Sequence, residues 1–175
     1  MRPINLRDFG NEVQRVKDIY NKAWQNNWGF VPMTDDEFRY TARSLKQVVD
    51  PELALIAELE GEPVAFILGL PDVNQALIHL KGRLFPFGLI KLLWHTKVRN
   101  KINGARILTM GVIPEYQRRG IDLMLYAEVF QRGPKKGYYW GEMSWILETN
   151  TLMRSAAEAI GGEIYKRYRI VEMPL

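Results

Sequence analysis

Apolar positions recur along this chain with two different spacings, and each change of spacing marks a new element. Val13, Val16, Ile19, Tyr20 and Ala23 lie three or four residues apart, as along one helix face. They predict a helix from Glu12 to about Gln25, with Asp8 or Asn11 as its cap. Pro3 to Leu6 reads as a short strand before it. Thr34 with Glu37 is a capping-box pair that opens a second helix to about Val48, and Pro51 closes it. The loop between the helices carries Trp28 and Phe30, aromatic residues that act either as core plugs or as pocket lining. Leu53 to Leu59 and Val64 to Leu70 are β-rich runs on either side of Glu60-Gly61-Glu62-Pro63, a hairpin-turn composition.

Further along, Leu89 to Lys101 reads as an amphipathic helix, with Leu89, Ile90, Leu93, Trp94 and Val98 on one side and Lys91, His95 and Arg99 on another. From Arg106 a strand pattern runs to Pro114, which cannot donate to a sheet ladder, and a helix pattern restarts after Gly120 and reaches Arg132. Tyr138 to Leu147 reads as a strand with Tyr138, Trp140, Glu142, Ser144 and Ile146 on one side. Asn150 reads as the cap of a helix through Ile160 that Gly161-Gly162 ends, and Glu163 to Met173 as a last strand or tight hairpin. This pattern alone gives a mixed α/β chain.

A length of 175 residues with 47% apolar and 25% charged residues fits one soluble domain over 1–175. The chain has no cysteine, which excludes a disulfide framework, a thiolate metal site and a cysteine acyl-enzyme, and agrees with a cytoplasmic location. His79 and His95 are the only histidines and neither has carboxylates at ligand spacing, so no metal is expected. No run is long enough to span a bilayer, and the N-terminus lacks the apolar core of a signal peptide. Charge is uneven. Val73 to Pro114 has no acidic residue but carries Lys81, Arg83, Lys91, Lys97, Arg99, Lys101 and Arg106. Such a segment can meet a membrane surface, an acidic partner or nucleic acid; docked on a sheet, its basic face would steer a polyanion.

The join between the Arg106 strand and its helix carries the candidate chemistry. The first turn of a helix has amide donors without intrahelical partners and the positive end of the peptide dipoles. Gln117, Arg118, Arg119 and Gly120 stand there, adding charge and a glycine that lets the backbone approach an anion. The stretch from Val112 to Asp122, VIPEYQRRGID, resembles the acetyl-coenzyme A signature of the GNAT family of N-acetyltransferases, Gln/Arg-x-x-Gly-x-Gly/Ala between a strand and a helix. RPINLRDF at the N-terminus resembles that family's first strand and turn, and LALIAELEGEPVAFILGLP its central hairpin, while Asn74 to Asn103 matches least.

The resemblance implies a strongly bent, mostly antiparallel sheet flanked by helices. It also implies transfer of an acetyl or other acyl group from acyl-coenzyme A to a primary amine of a small molecule or peptide, by direct attack. Met110, Gly111 and Val112 would hold the pantetheine arm; Gln117, Arg118, Arg119, Gly120, Ile121 and Asp122 would hold the pyrophosphate. Asn150 would lie near the thioester, with a backbone N–H near Val112 stabilising the oxyanion. Glu142, carried among large rings, is the candidate base unless it pairs with a nearby Lys or Arg. Two positions depart from the family pattern. Asp122 replaces the last Gly or Ala of the signature, and Ala157 stands where a thiolate-protonating Tyr is frequent. Of Tyr126, Tyr165 and Tyr168, Tyr168 is the candidate acid. The rival readings are a non-catalytic coenzyme-binding or interaction module, such as the C-terminal part of a longer protein, and a membrane or nucleic-acid binder acting through residues 81–106. Nucleic acid is not expected as a partner, and a homodimer is compatible with the sequence.

Overall fold

The computed structural model describes residues 1–80, 87, 94, 102–143, 145–169, 171 and 173. The expected helix from Leu89 to Lys101 and most of the basic segment lie outside them, as does Ser144. The chain divides into two compact units, Met1–Ser144 and Trp145–Leu175.

The first unit holds a five-stranded sheet in chain order: β1 (Arg2–Pro3), β2 (Ala54–Leu59), β3 (Glu62–Pro71), β4 (Gly104–Val112) and β5 (Trp140–Met143). β1 to β4 pair antiparallel, and β5 joins β4 in parallel. Among its described residues the helices are α1 (Phe9–Trp24), α2 (Asp35–Lys46), the short α3 (Asn74–Leu77) and α4 (Ile121–Arg132). The first strand is shorter than expected because Leu6–Asp8 forms a 3-10 turn, in which Asn5 accepts from the Arg7 amide and leads directly into α1. Asp8 holds the N-cap position of α1, as one of the two expected residues, but makes no side-chain capping bond; the side-chain cap is that of Asn5 on the 3-10 turn. At α2 the expected capping box is complete, with the Thr34 hydroxyl accepting from the Glu37 amide at 3.3 Å and Glu37 Oε2 accepting from the Thr34 amide at 2.8 Å. Left-handed backbone at Glu60 and Gly61, φ 54 and 89, closes the β2–β3 hairpin with the twist that adjacent strands require.

Consecutive residues are buried in both hairpin strands, Ala54 to Ala57 and Val64 to Ile67, so both faces of the sheet are covered. Ile19 of α1 packs with Ile56 and Phe66 on one face. α4 contacts β2, β3 and β4 and buries Leu125, Tyr126 and Val129. Phe66 is 1% exposed at the centre, and its loss to Ala would cost about 3–5 kcal/mol. β5 covers only part of the stretch expected from Tyr138 to Leu147. The Tyr138 amide closes a turn on the Gly133 carbonyl at 3.0 Å, so pairing with β4 starts only at Trp140.

In the second unit Asn150 caps α5 (Thr151–Ala159) as expected, its Oδ1 accepting from the Met153 amide at 3.1 Å. The helix ends at left-handed Gly161, φ 84. Residues 163–169, expected as a strand or hairpin, are neither: no sheet ladder reaches them among the described residues.

Candidate active site

Among the described residues, β4 carries rungs on both edges only in its first half. The described rungs with β5 run from Gly104 opposite Trp140 to Ile107 opposite Met143. On the other edge Ile107 faces Gly69 and Thr109 faces Leu68, which leaves Leu108 as an extra residue in a β-bulge. Beyond the bulge the Ile113 amide donates to the Val64 carbonyl at 3.0 Å. Antiparallel pairs alternate between bonded and non-bonded rungs, so Met110 and Val112 turn their amides and carbonyls away from β3, toward the opposite edge of β4. Both carbonyls are occupied: the Trp24 indole donates to Met110 O at 3.0 Å and the Gln117 amide to Val112 O at 3.0 Å. The N–H groups of the same two residues face that edge, about 7 Å apart along the strand. Gly111 between them faces α1, where a Cβ would come to 3.0 Å from Ala23 and from Phe66.

The turn that follows is built for an anion. Pro114–Tyr116 forms one 3-10 turn, and Arg118 and Gly120 are both left-handed, φ 59 and 76. The first bond into α4 is Met124 N–H to Gly120 O at 3.0 Å, and no side chain caps this helix end. The amides of Ile121, Asp122 and Leu123 thus precede the ladder, at the positive end of the helix. A Cβ on Gly120 would meet nothing within 4 Å, so the approach to these amides is open. Arg118 and Arg119 are exposed beside them, with Arg119 resting over the Tyr116 ring at 5.0 Å. Uncapped amides with two exposed guanidiniums fit the diphosphate of coenzyme A. Asp122 sits in the first helical turn, and burial together with its charge pushes the Tyr126 phenol well above the ordinary tyrosine range.

A cavity of about 290 Å³ lies between α1, α2 and the sheet, and reaches β4 at Leu108 and Thr109. Its one buried carboxylate, Glu12, is tied down by Arg2 at 2.9 and 3.0 Å and by Arg15 at 2.6 Å. The Glu12 and Glu58 carboxylates in turn hold Arg2 protonated, its pKa raised above the ordinary arginine value.

The sequence profile described as the Acetyltransferase (GNAT) family matches residues 13–156. The chain belongs to the GNAT acetyltransferase family. It is 46% identical over 176 residues to Protein YghO of Escherichia coli (strain K12), covering 98% of this chain and 45% of that protein. It is 42% identical over 179 residues to the bacterial ceramide synthase of Caulobacter vibrioides, covering 100% of this chain and 46% of that protein. The chain thus spans about half the length of the curated relatives it matches. The fold also matches the solved structure of AAC(6')-Iy with the bisubstrate analogue CoA-S-monomethyl-acetylneamine, with TM-score 0.61 and 16% identity over 99% of this chain and 97% of that one.

In this GNAT chain the residues Met110, Gly111, Val112, Gln117, Arg118, Arg119, Gly120, Ile121 and Asp122 form one continuous path from β4 into α4. Asn150 and Tyr168 belong to the second unit; Asn150 uses its oxygen to cap α5, and the Tyr168 ring is 75% exposed. Glu142 takes the pairing that the sequence left open beside the role of base. The β4–β5 register puts it opposite Arg106, and the two side chains pair at 3.8 Å. Trp28 is 74% exposed and Phe30 packs edge-on against Tyr20, so neither lines the cavity. Among the described residues no group of three His, Asp or Glu gathers for a metal, and no helix is long and apolar enough to cross a membrane. Trp24 and Thr109 were silent in the sequence, since both sit inside runs whose apolar pattern already explained them.

Proposed function

We propose that this chain transfers an acyl group from acyl-coenzyme A to a primary amine in the cytoplasm. The observation that carries this reading is the pair of outward N–H groups on Met110 and Val112, with their carbonyls already occupied, leading directly into an uncapped helix end. The helix-end amides with Arg118 and Arg119 would hold the diphosphate, and the β4 edge the pantetheine arm. A neutral amine attacks the thioester carbon; as the C–N bond forms, the oxyanion is met by a backbone N–H of β4, and collapse expels the thiolate of coenzyme A. Glu142 is proposed to take the amine proton: its pairing with Arg106 is an ion pair at 3.8 Å through one oxygen, longer than a hydrogen bond, and leaves the other oxygen for the amine. Tyr168 is proposed to protonate the thiolate, supported by its exposed phenol. Asn150 would lie near the thioester. Ceramide is an amide, so the name of the Caulobacter relative supports an amine acceptor.

The test is release of free thiol from acetyl-coenzyme A and octanoyl-coenzyme A in the presence of a panel of amines, alongside native mass spectrometry for bound coenzyme A. Amine-dependent release is expected, lowered in kcat by Glu142→Gln and by Tyr168→Phe. Ala157 and Asp122, the two departures from the family pattern, favour a second reading as a non-catalytic coenzyme-binding module. Bound coenzyme A without thiol release from any amine would decide for that module.

A further inference from the structure

The cavity under α1 and α2 has a shape that the amides of β4 do not explain. Phe9, Val13, Val16, Tyr20 and Trp24 all border it, so it follows one face of α1 for nearly the whole helix, about 22 Å at 1.5 Å per residue. Its walls are mostly apolar side chains, and its buried carboxylate, Glu12, is already held by Arg2 and Arg15. Such walls suit a hydrocarbon chain. Protein interiors are normally close-packed, and an apolar cleft of this size along a helix is a usual place for a ligand.

The ends of the cavity differ. At the Phe9 end the walls are Leu6, Leu45 and Val49, with the Lys46 ammonium over the Phe9 ring at 4.3 Å. At the Trp24 end stands Thr109, whose hydroxyl is buried and finds no hydrogen-bond partner among the described residues. A buried hydroxyl without a partner is costly, which argues for a ligand group that meets it. Thr109 immediately precedes Met110, so a polar group at the hydroxyl would lie beside the amides proposed to handle the thioester.

We infer that this cavity binds a single alkyl chain, tail toward Phe9 and Val49 and polar head at Thr109, so that the protein acts on a long-chain substrate. This rests on the acyl-transfer reading for the placement of the head. The chain belongs either to the acceptor amine or to the acyl group of the donor, and both present the same hydrocarbon to the same walls.

The experiment is calorimetry on the full chain with two ligand series, butylamine against octylamine and acetyl-coenzyme A against octanoyl-coenzyme A, with coenzyme A alone as reference. Each buried methylene should tighten binding about fourfold, so the octyl member of one series should bind at least a hundredfold tighter than its short partner. A gain among the amines assigns the chain to the acceptor, and a gain among the thioesters assigns it to the donor. Ala42→Phe, which narrows the cavity from α2, should remove the gain while leaving coenzyme A affinity unchanged; Ala42→Leu should reduce it in part and guards against misfolding of the larger variant. Thr109→Val should weaken the octyl ligand severalfold, and Thr109→Ser should restore it. No gain in either series, or a gain that survives both Ala42 variants, overturns the alkyl site, and an unchanged Thr109→Val overturns the head contact. Failure of coenzyme A to bind, with octylamine still bound and displaced by Ala42→Phe, would sink the acyl-transfer reading and leave the alkyl site standing.

Discussion

The Trp24 indole N–H and the Met110 carbonyl oxygen meet at 3.0 Å across 86 positions of sequence, joining the last residue of α1 to the open edge of β4. The bond occupies the acceptor of a residue whose amide is left to face the ligand. Trp24→Phe keeps the ring and removes the donor. It should cost about 1 kcal/mol in urea unfolding and slow acyl transfer, while coenzyme A binds as before because the helix end is untouched. An unchanged rate would mean that the carbonyl needs no partner.

Gly120 should respond to backbone conformation rather than to space. Its φ of 76 disfavours a side chain, yet a Cβ would meet nothing. Gly120→Ala should therefore lose about 1–2 kcal/mol and Gly120→Asn less, because Asn enters the left-handed region more readily. Coenzyme A affinity by calorimetry should fall in the order Gly, Asn, Ala, Val. A Val variant that binds like the parent, with its circular dichroism unchanged, would remove the turn from the site.

Asp122 carries two effects of opposite sign. At an uncapped helix end it stabilises the free protein through the dipole by about 0.3–1 kcal/mol, but it opposes a diphosphate at the same place by about 1 kcal/mol if solvated. Asp122→Ala should lower the Tm of the free protein and tighten coenzyme A binding about fivefold. Asp122→Gly should move both quantities the same way, with the larger loss of Tm. Weaker binding in both variants would show that the carboxylate makes a favourable contact.

Tyr138 gives the fold an alkaline edge. Its hydroxyl donates to Asp50 Oδ2 at 3.2 Å, and burial followed by the Asp50 charge pushes its pKa from 10.0 up to about 12. A raised pKa in the folded state stabilises the protein fully below the unfolded value, and that contribution is lost as pH rises from about 10 through about 12. Urea midpoints of the parent should approach those of Tyr138→Phe over this window. Parallel curves for the two proteins would exclude the linkage.

What could be read from the sequence was local. The Thr34–Glu37 box, the Glu60-Gly61 turn, the Pro114 to Gly120 join and the Asn150 cap each declare themselves within a few residues, because their bonds close within a few residues. The missing parts depend on partners far apart. Nothing near Glu12 announces Arg2, nothing near Tyr138 announces Asp50, and the Arg106 that pairs with Glu142 is fixed only by strand register. The bulge was hidden for a different reason. Beside Gly104 and Gly111, the buried members of β4 are Ala105, Ile107, Met110 and Val112, but Leu108 is apolar too, so the skipped step leaves no mark in the pattern.

Leu108 has a role that its contacts alone do not reveal. If it were deleted, Thr109 could still face Leu68 and Ile107 could still face Gly69, so β3 would register no change. β5 would. Its described rungs with β4 reach Ile107, one residue before the bulge, and a bulge interrupts the regular edge that a neighbouring strand pairs with. The surplus residue thus separates the half of β4 that carries the described β5 rungs from the half that carries Met110 and Val112, whose amides the acyl-transfer reading uses.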